Sequence, residues 1–316
     1  MKAVRFHETG PADVLKYEDV SQPSIGADDI LVRTVASGVN FIDTYQRSGA
    51  YPVTLPFIAG QEAAGEIVEV GNGIDDLSPG DRIVFDQMGG GYAELAAVSR
   101  RRAIKLPDGI GFDVAAAVCL QGMTAHFLTH SCYPLNSGDT CLIHAAAGGV
   151  GLLLIQIAKK RGARVIGTVS NEEKALLARN AGADEIIIYS QEEFAPKVRE
   201  MTDGKGVQVV YDSVGKDTFD GSISALAPRG YLVLFGQSSG RVSPVDPQTL
   251  NANGSLFLTR PTLANYRDFP DEVAWRSGDL FRWILEGDLS VRIGAQFPLA
   301  EAAEAHRQLE NRQTTG

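Results

Sequence analysis

Cysteine is scarce in this sequence. Only Cys119, Cys132 and Cys141 occur among 316 residues, none in a C-x-x-C pair, and their number is odd. A disulfide framework and a four-cysteine zinc lobe are therefore excluded, and a reducing cytoplasm is expected. Basic charge is in deficit as well. Lys and Arg number 29 against 39 Asp and Glu, a formal net charge of −10. A surface of that sign repels phosphate backbones and disfavours nucleic acid as the main partner. Long apolar runs are missing. The longest, Ala145–Ile157, is interrupted by Gly148, Gly149, Gly151 and Gln156, which is too short and glycine-rich for a membrane span. Met1–Glu8 carries no apolar core of the kind a signal peptide needs.

What is plentiful is glycine, 34 residues without any G-X-Y period. The usual share is ~7%, so the excess points to tight turns or close backbone approaches. The length predicts about two domains.

The first part of the chain reads as short strands separated by turns: Asp29–Ala36, Gly65–Val70, Arg82–Phe85 and Tyr92–Ala97. Regular short strands favour a barrel or sandwich. Phe112–Cys119 and Gln121–Ser131 read as two helices. A different rhythm follows, of apolar strands and amphipathic helices. Strand starts at Thr140, Arg164, Glu185, Val207, Tyr231 and Ser255 lie 21 to 24 residues apart. That spacing leaves room for one crossover helix between most strands, as parallel βαβ units require. Their continuous apolar runs suit a sheet covered on both faces. The expected fold is α/β, a six-stranded Rossmann-type doubly wound sheet. Ser170-Asn171-Glu172-Glu173 predicts a capping box with Ser170 as N-cap. Further helices are expected at Asp271–Leu285 and Ala300–Glu310.

Chemistry concentrates at His144-Ala145-Ala146-Ala147-Gly148-Gly149-Val150-Gly151, between the first parallel strand and its helix. Against G-x-G-x-x-G, Ala146 takes the first position, Gly148 the second and Gly151 the third. Gly148 lets backbone approach a pyrophosphate, and Gly151 lets the helix pack on the strand. The helix N-terminus supplies N–H donors and a partial positive charge. The second strand ends Gly167-Thr168-Val169-Ser170, without the carboxylate that binds a ribose 2′-hydroxyl in NAD sites. Ser170 and Lys174 can instead bind a 2′-phosphate, which favours NADPH. The competing reading makes Lys174 a solvated helix lysine and gives the ribose to Glu172 or Glu173.

His126 and His130 stand at i, i+4, a spacing that can chelate zinc. With no Glu after His126 and no third ligand, they read as ordinary helix histidines. There is no G-x-S-x-G and no evident nucleophile.

At this point the chain resembles the zeta-crystallin type of quinone oxidoreductase, in the medium-chain dehydrogenase/reductase superfamily. The resemblance rests on Gly38-Val39-Asn40-Phe41-Ile42-Asp43-Thr44-Tyr45, Gly60-Gln61-Glu62-Ala63-Ala64-Gly65, the cradle Ala146–Gly151, Tyr211-Asp212-Ser213-Val214-Gly215, Phe235–Gly240 and Thr259-Arg260-Pro261. It implies a GroES-like β-rich catalytic domain, residues 1–121 and 262–316, interrupted by an NADPH-binding Rossmann domain, residues 122–261. Zinc enzymes of the superfamily carry Cys where this chain has Asn40, and Gly-His-Glu where it has Gly60-Gln61-Glu62. Amides are poor zinc ligands, so no metal site is expected. The resemblance implies Asn40, Asp43 and Tyr45 near the nicotinamide and Thr124 approaching from the first helix. Gly148, Gly149 and Val150 would hold the pyrophosphate, and Ser170, Lys174 and Tyr189 the 2′-phosphate. Ser213, Phe235, Gly236 and Ser238 would lie at later strand ends, with Arg312 reaching back from the C-terminus. Asp43 has a second reading, as a cap or ion-pair partner, and Phe235 has one as core.

The expected activity is zinc-independent transfer of a hydride from NADPH to a small-molecule quinone in the interdomain cleft, with Asn40, Tyr45 and Tyr51 as the candidate catalytic residues. Two alternatives stand beside it. One is reduction of a 2-alkenal or enoyl thioester, with Tyr45 or Tyr51 giving the proton. The other is an NADPH-binding protein with a non-catalytic role, crystallin-like or RNA-binding. The expected assembly is a homodimer through the sheet edge at Ser255–Thr259.

Overall fold

A computed structural model describes residues 1–316. The chain divides into two compact units, Met1–Leu120 with Ser277–Thr314, and Gln121–Arg276 with Thr315–Gly316.

The first unit is built on two antiparallel sheets. Strands β1 (Lys2–Phe6) and β2 (Lys16–Asp19) pair directly. After β3 (Asp29–Gly38) and the short helix α1 (Phe41–Arg47), strand β4 (Phe57–Ile58) completes the order β2-β1-β4. Strands β5 (Glu62–Val70), β6 (Arg82–Asp86), β7 (Leu95–Ser99) and β8 (Ala103–Lys105) join β3 in the order β7-β3-β5-β6-β8. The inner face of this sheet collects Ile30, Val32, Ala63, Ile67, Ile83, Phe85 and Val98. Burying them removes the apolar face of β3, β5, β6 and β7 from water. The strand expected at Tyr92 begins only at Leu95. Tyr92 is instead buried in a turn, its N–H donating to Ala59 O at 2.9 Å.

Residues 112–131 form one helix where the sequence predicts two. Helix α2 (Phe112–Phe127) is continued by a wider π-type turn over Leu128–Cys132. No proline interrupts the stretch, and Gly122 is buried inside the helix, where packing outweighs its low propensity.

The second unit alternates strand and helix: β9 (Thr140–Ile143), α3 (Gly149–Lys160), β10 (Arg164–Val169), α4 (Glu172–Asn180), β11 (Glu185–Ile188), α5 (Phe194–Met201), β12 (Val207–Asp212), α6 (Phe219–Ala225), β13 (Leu226–Leu234), α7 (Pro247–Ala252) and β14 (Phe257–Thr259). The strands are parallel, in the order β11-β10-β9-β12-β13-β14. This is the doubly wound sheet expected from the sequence. Its order reverses between β9 and β12, so a crevice opens at their carboxyl ends. The N-cap of α4 is Asn171, whose Oδ1 accepts from Lys174 N at 2.9 Å, not Ser170 as the capping box implies. Asn171 reaches the N3 amide directly and leaves Ser170 at the strand tip.

Two helices follow, α8 (Pro270–Leu285) and α9 (Ala302–Glu310). Residues 262–276 belong with the second unit, whereas the family resemblance places them in the first. Buried Arg276 is one tie to that unit, beside the Tyr266 ring stacked on Phe127 and the Trp275 ring against His126. It donates to Tyr266 O and Ser131 Oγ, each at 3.1 Å, and contacts His126 Nδ1 at 3.2 Å. That guanidinium ties the stretch to the end of α2. His126 therefore answers to an arginine, and its ring stacks on His130 at 4.0 Å.

Candidate functional site

The cradle begins where β9 ends. Ala145 adopts a φ of +51°, and Gly148 N–H returns to Ala145 O at 2.9 Å. The loop thereby turns back on itself before α3. A Cβ on Gly151 would lie 2.4 Å from Ala145 O and 2.8 Å from Ala146 O, so only glycine allows the helix to start so close to the strand. A Cβ on Gly148 would meet nothing nearer than Ala145 O at 3.2 Å. Gly148 is the N-cap of α3, and no side chain caps that helix. Helix N-termini leave their first N–H groups without intrahelical partners, and these groups attract anions. The residues present therefore fit a pyrophosphate.

The other loops of this unit converge on the same sheet edge. Ser170 follows β10, with Ser190 Oγ donating to Ser170 O at 2.8 Å. Tyr189 N–H donates to Val169 O at 3.1 Å, and the ring is exposed. Lys174 lies in the first turn of α4. Ser170, Lys174 and Tyr189 thus belong to one corner. Ser213, Phe235, Gly236 and Ser238 form a second. Phe235 N–H donates to Asp212 O at 2.8 Å and Ser238 N–H to Ser213 O at 3.2 Å. A Cβ on Gly236 would sit 2.4 Å from Ser213 O. Phe235 is half-buried, outside the fully buried core of the sheet. Thr124 is buried in α2. Arg312 stands exposed just after α9, in the first unit.

Beneath the crevice lies a buried polar chain that sequence reasoning missed. Ser222 Oγ donates to Asp212 Oδ2 at 2.9 Å and meets His144 Nε2 at 3.0 Å, while His144 Nδ1 meets Thr168 Oγ1 at 2.8 Å. Because the serine proton goes to Asp212, His144 must carry its proton on Nε2 and accept from Thr168. Burial holds the imidazole below its ordinary pKa and so neutral. The trio has serine between the other two, and all three are buried. It lacks the order and access of a nucleophilic triad. Asp212 Oδ1 also accepts from Val214 N at 2.8 Å and Gly215 N at 3.0 Å. The chain thus links the tips of β9, β10 and β12, which carry the cradle and its flanking loops. Its members Asp212, His144 and Thr168 stood in the motifs Tyr211–Gly215, His144–Gly151 and Gly167–Ser170, but nothing in their spacing joined them.

In the first unit, Asn40 and Gln61 are held by side chains rather than left open. Asn40 Nδ2 donates to Glu62 Oε1 at 2.6 Å. Gln61 Oε1 accepts from Gln46 Nε2 at 3.2 Å, and its Nε2 reaches Asp86 Oδ1 at 3.4 Å. Asp43 is 1% exposed. Its Oδ2 accepts from Asn40 N at 2.8 Å and its Oδ1 from Gln61 N at 2.9 Å. The carboxylate therefore caps α1 and clamps the Gln61 backbone. Burial nevertheless raises its pKa to about 7, against the lowering effect of those bonds. Tyr92 Oη donates to Asp43 at 3.4 Å and lies 3.3 Å from His306 Nε2. His306 Nδ1 meets Arg47 Nη1 at 3.3 Å, and Arg47 pairs with Glu310. Burial, with Arg47 beside it, lowers His306 to about 3. Tyr45 and Tyr51 are half-buried, with ring centroids 5.3 Å apart.

No group of three or more His, Cys, Asp or Glu side chains is placed to hold a metal ion.

A GroES-like β unit in one chain with a doubly wound dinucleotide sheet defines a medium-chain dehydrogenase/reductase. Family models agree: residues 26–108 match the alcohol dehydrogenase GroES-like domain, and residues 149–275 the zinc-binding dehydrogenase domain. The chain is 47% identical to the quinone oxidoreductase of Pseudomonas aeruginosa, covering 100% of this chain and 98% of that protein. It is 41% identical to the 2-haloacrylate reductase of a Burkholderia species, covering 99% and 97%. The crystal structure of Escherichia coli quinone oxidoreductase complexed with NADPH superposes with a TM-score of 0.98 at 41% identity, covering 100% of this chain and 98% of that one. The chain belongs to the quinone oxidoreductase family.

Proposed function

We propose that this chain is a zinc-independent NADPH:quinone oxidoreductase. The observation that carries the reading is the state of Asn40 and Gln61. The superfamily's zinc enzymes have Cys and His at these positions; here two amides are tied to Glu62, Gln46 and Asp86. Amide groups bound in this way give a divalent zinc ion no thiolate or imidazole. Without that Lewis acid, an alcohol is a poor partner, and an acceptor that is already electrophilic is favoured.

Bound NADPH supplies a hydride from C4 of its nicotinamide. The rest is done by the chain's own residues. Gly148, Gly149 and Val150 present the uncapped N-terminus of α3 to the pyrophosphate. Ser170, Lys174 and Tyr189 receive the 2′-phosphate, and no carboxylate stands at the tip of β10 to repel it. Ser213, Phe235, Gly236 and Ser238 line the next strand tips. Thr124 and Arg312 are assigned to the cofactor on family resemblance. Asn40 and Tyr45 address the nicotinamide, with Asp43 acting behind them as the α1 cap. Tyr45 and Tyr51 form an aromatic wall for a flat acceptor. Catalysis on this reading is orientation and exclusion of water.

The test is a mixing experiment with NADPH and a panel of ortho- and para-quinones, with and without a zinc chelator. NADPH absorbance should decay equally in both. No decay with any quinone overturns the activity, and loss on chelation overturns zinc independence.

A second reading, reduction of a conjugated alkene, is favoured by the 41% identity to a 2-haloacrylate reductase. It requires a proton donor for carbon, and the Tyr45 or Tyr51 hydroxyl would serve. Comparison of kcat/KM for 2-alkenals and quinones separates the two.

The chain is further proposed to form a homodimer through β14, which ends the sheet and pairs only with β13. Phe257 on that edge is 50% exposed, as an edge awaiting a partner would be. Light scattering on the purified protein checks it. Three free thiols accord with a cytoplasmic setting.

A further inference from the structure

We infer that Glu62 is a positioning residue: its carboxylate sets which face of the Asn40 amide is turned toward the cofactor. The inference rests on the reading above that Asn40 addresses the nicotinamide.

Glu62 is wholly buried. Its two oxygens serve two different donors. Oε1 accepts from Asn40 Nδ2 and Oε2 from the main-chain N–H of Leu120 in α2, each at 2.6 Å. A side-chain amide has two orientations that differ only in which end is N and which is O. A carboxylate at 2.6 Å removes that choice. The flipped amide would set two oxygens against each other, so Nδ2 points to Glu62 and Oδ1 away from it, on the side of the Asp43 N–H in the α1 capping box.

The fold reserves room for this carboxylate. Gly38 is the cross-strand partner of Glu62. A Cβ at position 38 would fall 2.1 Å from Glu62 Oε1 and 2.6 Å from Ala116 O. Gly38, Asn40 and Glu62 therefore work as one unit. Burying a carboxylate carries a large desolvation cost. A mere tie between β5 and α2 would need one acceptor for Leu120 N–H. Glu62 supplies two, and glutamine, of the same length, has one acceptor and one donor.

The experiment compares wild type, Glu62→Gln, Asn40→Asp and the double exchange, all as full-length protein. It reads steady-state quinone reduction, NADPH affinity by protein fluorescence, and thermal melting. Glu62→Gln leaves either Asn40 or Leu120 without an acceptor. Its kcat should fall about 10- to 100-fold, with NADPH Kd changed less than about threefold. Asn40→Asp sets two carboxylates together. Its activity should fall at neutral pH and return toward acid, where the pair shares a proton. In the double exchange, the amide introduced at position 62 donates through its nitrogen to the new carboxylate at position 40. Its oxygen accepts from the Leu120 N–H. Activity should recover to within about fivefold of wild type.

Wild-type kcat in Glu62→Gln overturns the inference. A folded exchange protein as impaired as Glu62→Gln also overturns it, since Glu62 would then only anchor α2. Should Glu62→Gln fail to fold, the exchange protein still decides. Wild-type protein that binds NADPH but reduces no quinone defeats the functional reading first, before any variant is compared, and takes the inference with it.

Discussion

The rings of Tyr45 and Tyr51 meet at a centroid distance of 5.3 Å with their planes inclined by 58°, and Tyr51 N–H donates to Tyr45 O at 2.9 Å. The main-chain bond closes the end of α1 and brings two aromatic faces together from six residues apart. If these faces hold the acceptor, size matters more than the hydroxyl for a quinone. Tyr45→Ala and Tyr51→Ala should each lower kcat/KM for quinones about tenfold, and the Phe variants less than about threefold. Turnover of 2-alkenals should fall in a Phe variant, because carbon must be protonated. Full quinone kcat/KM in both Ala variants would remove the tyrosines from the site.

Lys174 should discriminate between dinucleotides. Lys174→Glu puts a carboxylate in the corner formed with Ser170 and Tyr189. NADPH should bind about 10- to 100-fold more weakly, with NADH changed less than about threefold. Parallel fluorescence titrations give both values. Equal losses would show that Lys174 does not meet the 2′-phosphate.

Two cradle glycines should separate binding from folding. Gly148→Val places a side chain where only Ala145 O is near, so the fold should hold while NADPH titration shows no binding. Gly151→Ala drives a Cβ into two main-chain carbonyls and should destabilise by about 1–3 kcal/mol. A Gly151→Ala protein that melts with wild type would refute the close-packing argument.

Asp43 and His306 should oppose each other in acid. Asp43 has its pKa raised from 3.8 to about 7, so between those values the folded state holds a proton that the unfolded chain has lost. Its contribution therefore declines as pH rises through that window. His306 is lowered from 6.5 to about 3, so the unfolded chain is the one protonated there. Its contribution is lost as pH falls through that window. The two slopes cancel over most of the range. His306→Gln should unmask the Asp43 term, and its melting temperature should drop from mildly acidic to neutral pH more steeply than that of wild type. Identical pH profiles would count against either shift.

Much of the nucleotide sheet was legible because its signals are local. Apolar strands recur at a spacing that admits one helix, and Gly148–Gly151 follows the first strand directly. Sequence and structure part where a neighbour in sequence competes with a better-placed one. Asn171 takes the cap from Ser170, and α2 runs through a stretch that reads as two helices. Thr262–Arg276 joins the second unit, where buried Arg276, the Tyr266–Phe127 ring stack and Trp275 against His126 tie it to the end of α2, contacts invisible to periodicity.

The sequence by itself determined the class of fold and the glycine-rich turn after the first parallel strand, because each is a property of residue type at a local spacing; that Asn40 and Gln61 stand at two zinc-ligand positions is what the family resemblance implies. Only the tertiary structure decided what the buried carboxylates do. Asp43 became a clamp on two backbone amides, Asp212 the anchor of a chain through Ser222 to His144, and Glu62 the acceptor that orients Asn40. Those assignments depend on hydrogen-bond partners up to 78 residues away. A carboxylate carries no mark in sequence of which donors the fold will bring to it once water is gone.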